Sequence, residues 1–163
     1  MRYRHDYCAT HDVDWFAIYK GIPIHIASNG MMIPDFIDSK KNREIQQYVS
    51  GLSEMFAIFT PPQNNLNIES LYNNREDALY AYQSSFKYMA CRGFWSFDST
   101  KDEYSHLEYR LNLVAAPHSH FIPDEDDRLE YVRGLLPEIP EDFAQLVEQS
   151  ILRAMPNDYY AAR

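Results

Sequence analysis

Cysteine is nearly absent from this chain: Cys8 and Cys91 are the only two. Two isolated thiols with no Cys-x-x-Cys spacing cannot frame a zinc site, and a single bridge between them is a weak expectation without a visible secretory signal. Glycine is almost as scarce. Gly21, Gly30, Gly51, Gly93 and Gly134 are scattered, and no two stand close enough for the phosphate cradle of a P-loop or a dinucleotide fingerprint. There is no Gly-x-Ser-x-Gly elbow to present a nucleophilic serine. Long apolar runs are missing too: no window approaches the roughly 18 residues of a membrane span. The first seven residues are charged and polar with no apolar stretch behind them, so the expectation is a cytoplasmic chain without a membrane partner.

Positive charge is the remaining shortage. Fifteen Lys and Arg face 24 Asp and Glu, a net charge of −9. The first fifty residues balance, whereas residues 101–163 hold six basic and thirteen acidic side chains. Such a surface repels phosphate backbones, and no Lys/Arg-rich run offsets it, so nucleic acid is not an expected partner.

What is present is an ordinary globular balance, 45% hydrophobic and 24% charged over 163 residues. It predicts one domain over 1–163, with 157–163 a loose tail. Tyrosine is abundant, with 13 residues. Its apolar ring and polar hydroxyl suit the rim of a core, a binding groove or an interface between copies.

Hydrophobic periodicity predicts the elements. Residues 12–29 read as a hairpin turned at Lys20-Gly21, with Ile22, Ile24 and Ile26 along one face. Pro23 lacks a donor, which points to an edge strand or a start just after it. Residues 2–9 are a further candidate strand. A helix from about Ser39, capped by Asp38 or Ser39, carries Ile45, Tyr48, Val49 and Leu52 inward and ends near Ser50. A short strand within 54–60 and a polar loop over 63–74 follow. Asn74 caps the next helix, whose stripe is Ala78, Leu79, Tyr82, Phe86, Met89 and Ala90, closed by Gly93. Two strands follow at 94–97 and 108–116. In the second, Tyr109, Leu111, Leu113 and Ala115 alternate with Glu108, Arg110, Asn112 and Val114, as for a sheet with one solvated face. Helices over about 126–136 and from Pro140 complete the chain. Strands in hairpins without βαβ alternation predict an α+β fold: a mainly antiparallel sheet of about four to six strands with helices packed on one face.

Three clusters could carry chemistry. His11-Asp12-Val13-Asp14 places a His and two carboxylates within four residues, a ligand set for a divalent cation; Asp12 and Asp14 share a face of extended chain while His11 points away. The phrase resembles the Asp-rich strand end of polysaccharide deacetylases. That family also uses a His-x-x-x-His pair, and none of His5, His11, His25, His106, His118 and His120 are four apart, so the resemblance stops at four residues. The bland alternative is a turn in which Asp caps backbone donors. His118-Ser119-His120 follows a strand end, where both imidazoles can serve one metal, with Asp124, Glu125, Asp12 or Asp14 completing the set and a bound water becoming the nucleophile. Residues 124–127 are four acids at a helix start, better explained by the helix dipole than by calcium. Cys8 beside His11, or Cys91, as a nucleophile has little support, because an unactivated cysteine is more often a small apolar core residue.

Two functions follow as expectations. The first is a non-catalytic protein-interaction or ligand-binding domain with an acidic C-terminal third and no cofactor. Its partner is a basic protein or a second copy paired through exposed aromatics and the hairpin edge. The second is a metal-dependent hydrolase or lyase holding a divalent ion such as zinc on His118, His120, Asp14 and Asp124.

Overall fold

A computed structural model describes residues 1–62, 75–100, 110–118 and 127–155. In chain order the elements are α1 (His5–Thr10), β1 (Asp14–Tyr19), β2 (Ile22–Ala27), α2 (Ser39–Ser50), β3 (Ile58–Phe59), α3 (Arg75–Ala90), β4 (Trp95–Thr100), β5 (Arg110–Pro117), α4 (Asp127–Leu135) and α5 (Glu141–Ala154). The expected 63–74 loop, the Asn74 cap, most of the 124–127 acidic run and the 157–163 tail lie outside the described residues.

The five strands pair in the order β1-β2-β4-β5-β3. All pairs are antiparallel except β2 with β4, so the sheet is mixed and mostly antiparallel, an α+β arrangement with helices packed against it. The β1–β2 hairpin turns on Lys20 (φ 46°) and Gly21 (φ 78°), the two positive φ values of a type I′ turn, whose twist matches that of the flanking strands. The expected hairpin is present.

Alternation along β1 divides the core. Trp15, Ala17 and Tyr19 join Ile24, Ile26, Trp95, Phe97, Leu111 and Leu113 in a cluster covered by Leu146, Val147 and Ile151 of α5. Phe16, between them, belongs to a second cluster with Ile45 and Val49 of α2 and Leu129 and Val132 of α4. Phe86 and Ala90 of α3 cover Ala27, Val114 and Ala115. The helices therefore divide between the two faces: α2, α3 and α4 on one and α5 on the other. The face expected to be wet on β5 is dry past Asn112, because α3 lies on it.

Several local expectations change. Residues 5–10 form a helical turn, not a strand; Tyr7 stacks on His11 one turn away, with ring centroids 4.0 Å apart, a contact available to i and i+4 of a helix. β2 is an interior strand despite Pro23. Pro23 faces Ile18 next to the Tyr19–Ile22 pair that closes the turn, so its nitrogen points away from β1, and pairing with β4 begins one residue later, at Ile24. In β5, Ala115 stands opposite Ser96 and Leu113 opposite Phe97. Val114 is thus an extra residue, and this bulge moves Ala115 to the α3 side. Tyr48 points out of α2, 41% exposed.

The free edge of the hairpin is partly covered from within the chain. Ile18 N donates to Pro137 O (2.9 Å) and Ile18 O accepts from Ile139 N (3.0 Å). Further along, the buried Asn42 side chain of α2 accepts from Phe16 N (3.1 Å) and donates to Asp14 O (2.9 Å). Four outward backbone groups of β1 are thus met from within the chain, which leaves fewer donors and acceptors along this edge for another strand. No helix among the described residues is long and apolar enough to cross a membrane. Cys8 is a buried free thiol and Cys91 a half-buried one.

Candidate functional site

β2 and β4 run parallel, and their pairing ends at Ala27 and Asp98, two residues before the end of β4. In open sheets with parallel neighbours, the ends of such strands are a common place for ligands. Here that end carries a group of polar side chains which the alternation of β1, β2 and β4 sends to the α2/α3 face: Asp14, His25, Ser96 and Asp98.

His25 lies at the centre. It is 1% exposed, between the rings of Phe16 (centroid distance 5.4 Å) and Phe86 (6.2 Å). Its Nε2 is 2.7 Å from Asp14 Oδ1, and its Nδ1 is 2.6 Å from Ser96 Oγ. A carboxylate only accepts, so Nε2 carries the proton, and in the neutral ring Nδ1 accepts from the Ser96 hydroxyl. The chain Ser96–His25–Asp14 contains the three residue types of a hydrolytic triad. Ser96 is wholly buried, however, and cannot meet a substrate. The group that reaches solvent is Asp14, with its side chain 37% exposed. His25 holds one carboxylate oxygen, and no hydrogen bond takes the other among the described residues.

Asp98 sits beside this chain. Tyr82 of α3 donates its hydroxyl to Asp98 Oδ2 at 2.6 Å. Burial raises the Asp98 carboxyl above its ordinary value, and the Asp12 charge adds to the rise. Burial, then the Asp98 charge, also raises the Tyr82 phenol. Asp12 itself ties the chain together: its Oδ1 accepts from Asn29 N at 2.8 Å. It caps a backbone donor, as the turn reading of this motif requires.

Asp14 opens onto a cleft of about 470 Å³ between the N-terminal segment and α2, lined among others by Tyr3, Tyr7, Asp12, Asp14 and Arg43. Asn42 fastens its floor, donating to both Tyr3 Oη and Asp14 O at 2.9 Å. Burial pushes the Tyr3 phenol above its ordinary value, keeping it a neutral hydroxyl. Arg2 and Arg4 at the rim pair with Asp35 and Asp6. Arg43 differs. Its Nε donates to Ser39 O at 3.2 Å, and no ion pair takes its guanidinium among the described residues.

Of the expected metal ligands, the two described ones, Asp14 and His118, do not come together. Asp14 aligns through Ala27 and Asp98 with Asn112, whereas His118 follows Pro117 at the far end of β5, where its N–H donates to Ala57 O. Six residues of strand put the two on the order of 20 Å apart, too far to share an ion whose ligands lie within about 2.5 Å. His120 and Asp124 lie outside the described residues. Among the described residues, no group of three His, Cys, Asp or Glu could hold a metal ion. His11 turns back onto α1, hydrogen-bonded to Tyr7 O at 3.0 Å. Cys8 is buried, and burial raises the Cys91 thiol above its ordinary value, against a nucleophilic role for either.

Sequence reasoning missed His25, Ser96 and Asp98. The signal was a polar residue inside each of two otherwise apolar strands, Ile-His-Ile at 24–26 and Trp-Ser-Phe at 95–97, which marks a buried group in need of a partner. No protein-family model matches the chain, and neither a curated protein nor a solved structure does so at a significant level.

Proposed function

We propose that this chain is a non-catalytic ligand-binding domain whose ligand sits in the cleft between the N-terminal segment and α2. The observation that carries this reading is the hydrogen bond from buried His25 to half-exposed Asp14 at the cleft wall. A carboxylate held from the interior has little freedom left to lose when a ligand arrives, and such preorganisation favours affinity. The Asn42 bonds to Tyr3 and to the Asp14 carbonyl hold the rest of the wall in the same way. The cleft volume falls within the range of small-ligand sites, about 300–1,000 Å³. Binding is favoured over hydrolysis because the one hydroxyl paired with His25 is shut inside the sheet–helix interface.

A fragment library screened by NMR chemical-shift change tests this. Hits should perturb Tyr3, Tyr7, Val13, Asp14 and Arg43 together, and Asp14→Ala should weaken them without unfolding the protein. Hits confined to other surfaces, or indifferent to Asp14→Ala, would remove the cleft as the site.

A further inference from the structure

The cleft is lined by side chains of both signs, and their roles differ. On the strand side stands Asp14, with Oδ1 taken by His25 and Oδ2 left over, next to Asp12. On the α2 side stands Arg43. Its Nε is engaged by Ser39 O one turn earlier, which fixes the stem and leaves the terminal nitrogens as donors. The other two arginines at the rim are already matched by Asp6 and Asp35, so Arg43 is the cation offered to an occupant. Tyr3 and Tyr7, with ring centroids 6.3 Å apart, add aromatic surface to the lining.

Resting on the ligand-binding reading above, we infer that the occupant is a small zwitterion, an α-amino acid with an apolar side chain. Its ammonium meets Asp14, its carboxylate meets the Arg43 guanidinium, and its side chain lies against the tyrosines. A purely anionic ligand would face Asp12 and Asp14 unmatched, and a purely cationic one would face Arg43. An occupant carrying both signs leaves no like-charge contact. A guanidinium fork also matches the two oxygens of a carboxylate better than it matches a single acceptor.

The test uses three probes with the intact chain in low-salt buffer: L-phenylalanine, its N-acetyl derivative and its amide, each titrated by NMR. The free amino acid should shift the cleft resonances, and each blocked form should bind roughly tenfold or more weakly, as expected on losing a charged hydrogen-bond partner. Arg43→Gln should bring the free amino acid down to the affinity of the amide. Asp14→Asn, which keeps an acceptor for His25, should bring it down to that of the N-acetyl form. Equal binding of all three probes at the cleft would overturn the zwitterion while leaving the cleft a binding site. No cleft shift with any probe would also overturn it, and the fragment screen then decides separately whether the cleft binds at all.

Discussion

His25 Nε2 donates to Asp14 Oδ1 across 2.7 Å, joining a side chain that is 1% exposed to one that is 37% exposed. This pair links the interior to the cleft, and its stability effect is separable from its binding effect. His25→Leu should lower the unfolding free energy by about 2–3 kcal/mol, because it strands the buried Ser96 hydroxyl. Adding Ser96→Ala should cost less than the sum of the two single changes, since the stranded group is then gone. Urea melts of the four proteins supply the cycle. Additive costs would mean that the two side chains are not coupled.

Asn42 should matter for the hairpin edge as much as for stability. Asn42→Ala removes a buried amide that serves Phe16 N, Asp14 O and Tyr3 Oη. A loss of about 2–4 kcal/mol is expected from buried backbone groups left unpaired. Hydrogen exchange at the Phe16 amide should accelerate, and sedimentation should show association that rises with concentration as the strand edge opens. Unchanged exchange at Phe16 would refute the role given to Asn42.

Asp98 carries a pH signature. Its folded-state pKa is raised above the ordinary 3.8, first by burial. The folded state therefore binds this proton more tightly than the unfolded chain. The stability that it contributes is fully present below pH 3.8 and is lost as pH rises through the raised folded value. Asp98→Asn, which still accepts from Tyr82, should flatten the fall in stability between pH 3.8 and that raised value. Denaturant midpoints compared between variant and parent across the acid range measure it, and parallel profiles would contradict it.

Two glycines with positive φ should respond differently. At Gly93 (φ +101°) an added Cβ would lie 2.9 Å from Phe56 Cε2 and 3.3 Å from Leu129 Cδ2. Gly93→Ala combines backbone strain with a clash and should cost about 2–4 kcal/mol. At Gly21 (φ +78°) nothing lies within 4 Å, so Gly21→Ala should cost only the backbone strain, about 1–2 kcal/mol. Thermal melts rank the two, and a milder effect at Gly93 would contradict the packing described there.

Tyrosine shows how far composition reached. The count suggested rings half in the core, and the hydroxyls of Tyr3, Tyr19 and Tyr82 do end on Asn42, Glu148 and Asp98 at the edges of the packing. Composition gave no hint of which partner each would meet, because all three partners are remote in sequence or on another element. The pairing of Asp14 with His118 as ligands of one ion depended on such remote contacts too. His118 and Asp14 are plausible ligand types, but strand register places them at opposite ends of the sheet.

Elements whose residues interact within a few positions were readable from the chain itself. The hairpin follows from Lys20-Gly21 and alternating isoleucines, α2 from the Asp38 cap and a periodic stripe, and the end of α3 from Gly93. These depend on local backbone preference and on one-dimensional periodicity. The parallel pairing of β2 with β4, the bulge at Val114, the division of helices between two faces and the meeting of Asp14, His25 and Ser96 were decided only by the folded chain. Each depends on which distant segments come together, and the free energy of such contacts comes from burial and geometry shared between segments, which the local sequence pattern of neither segment records.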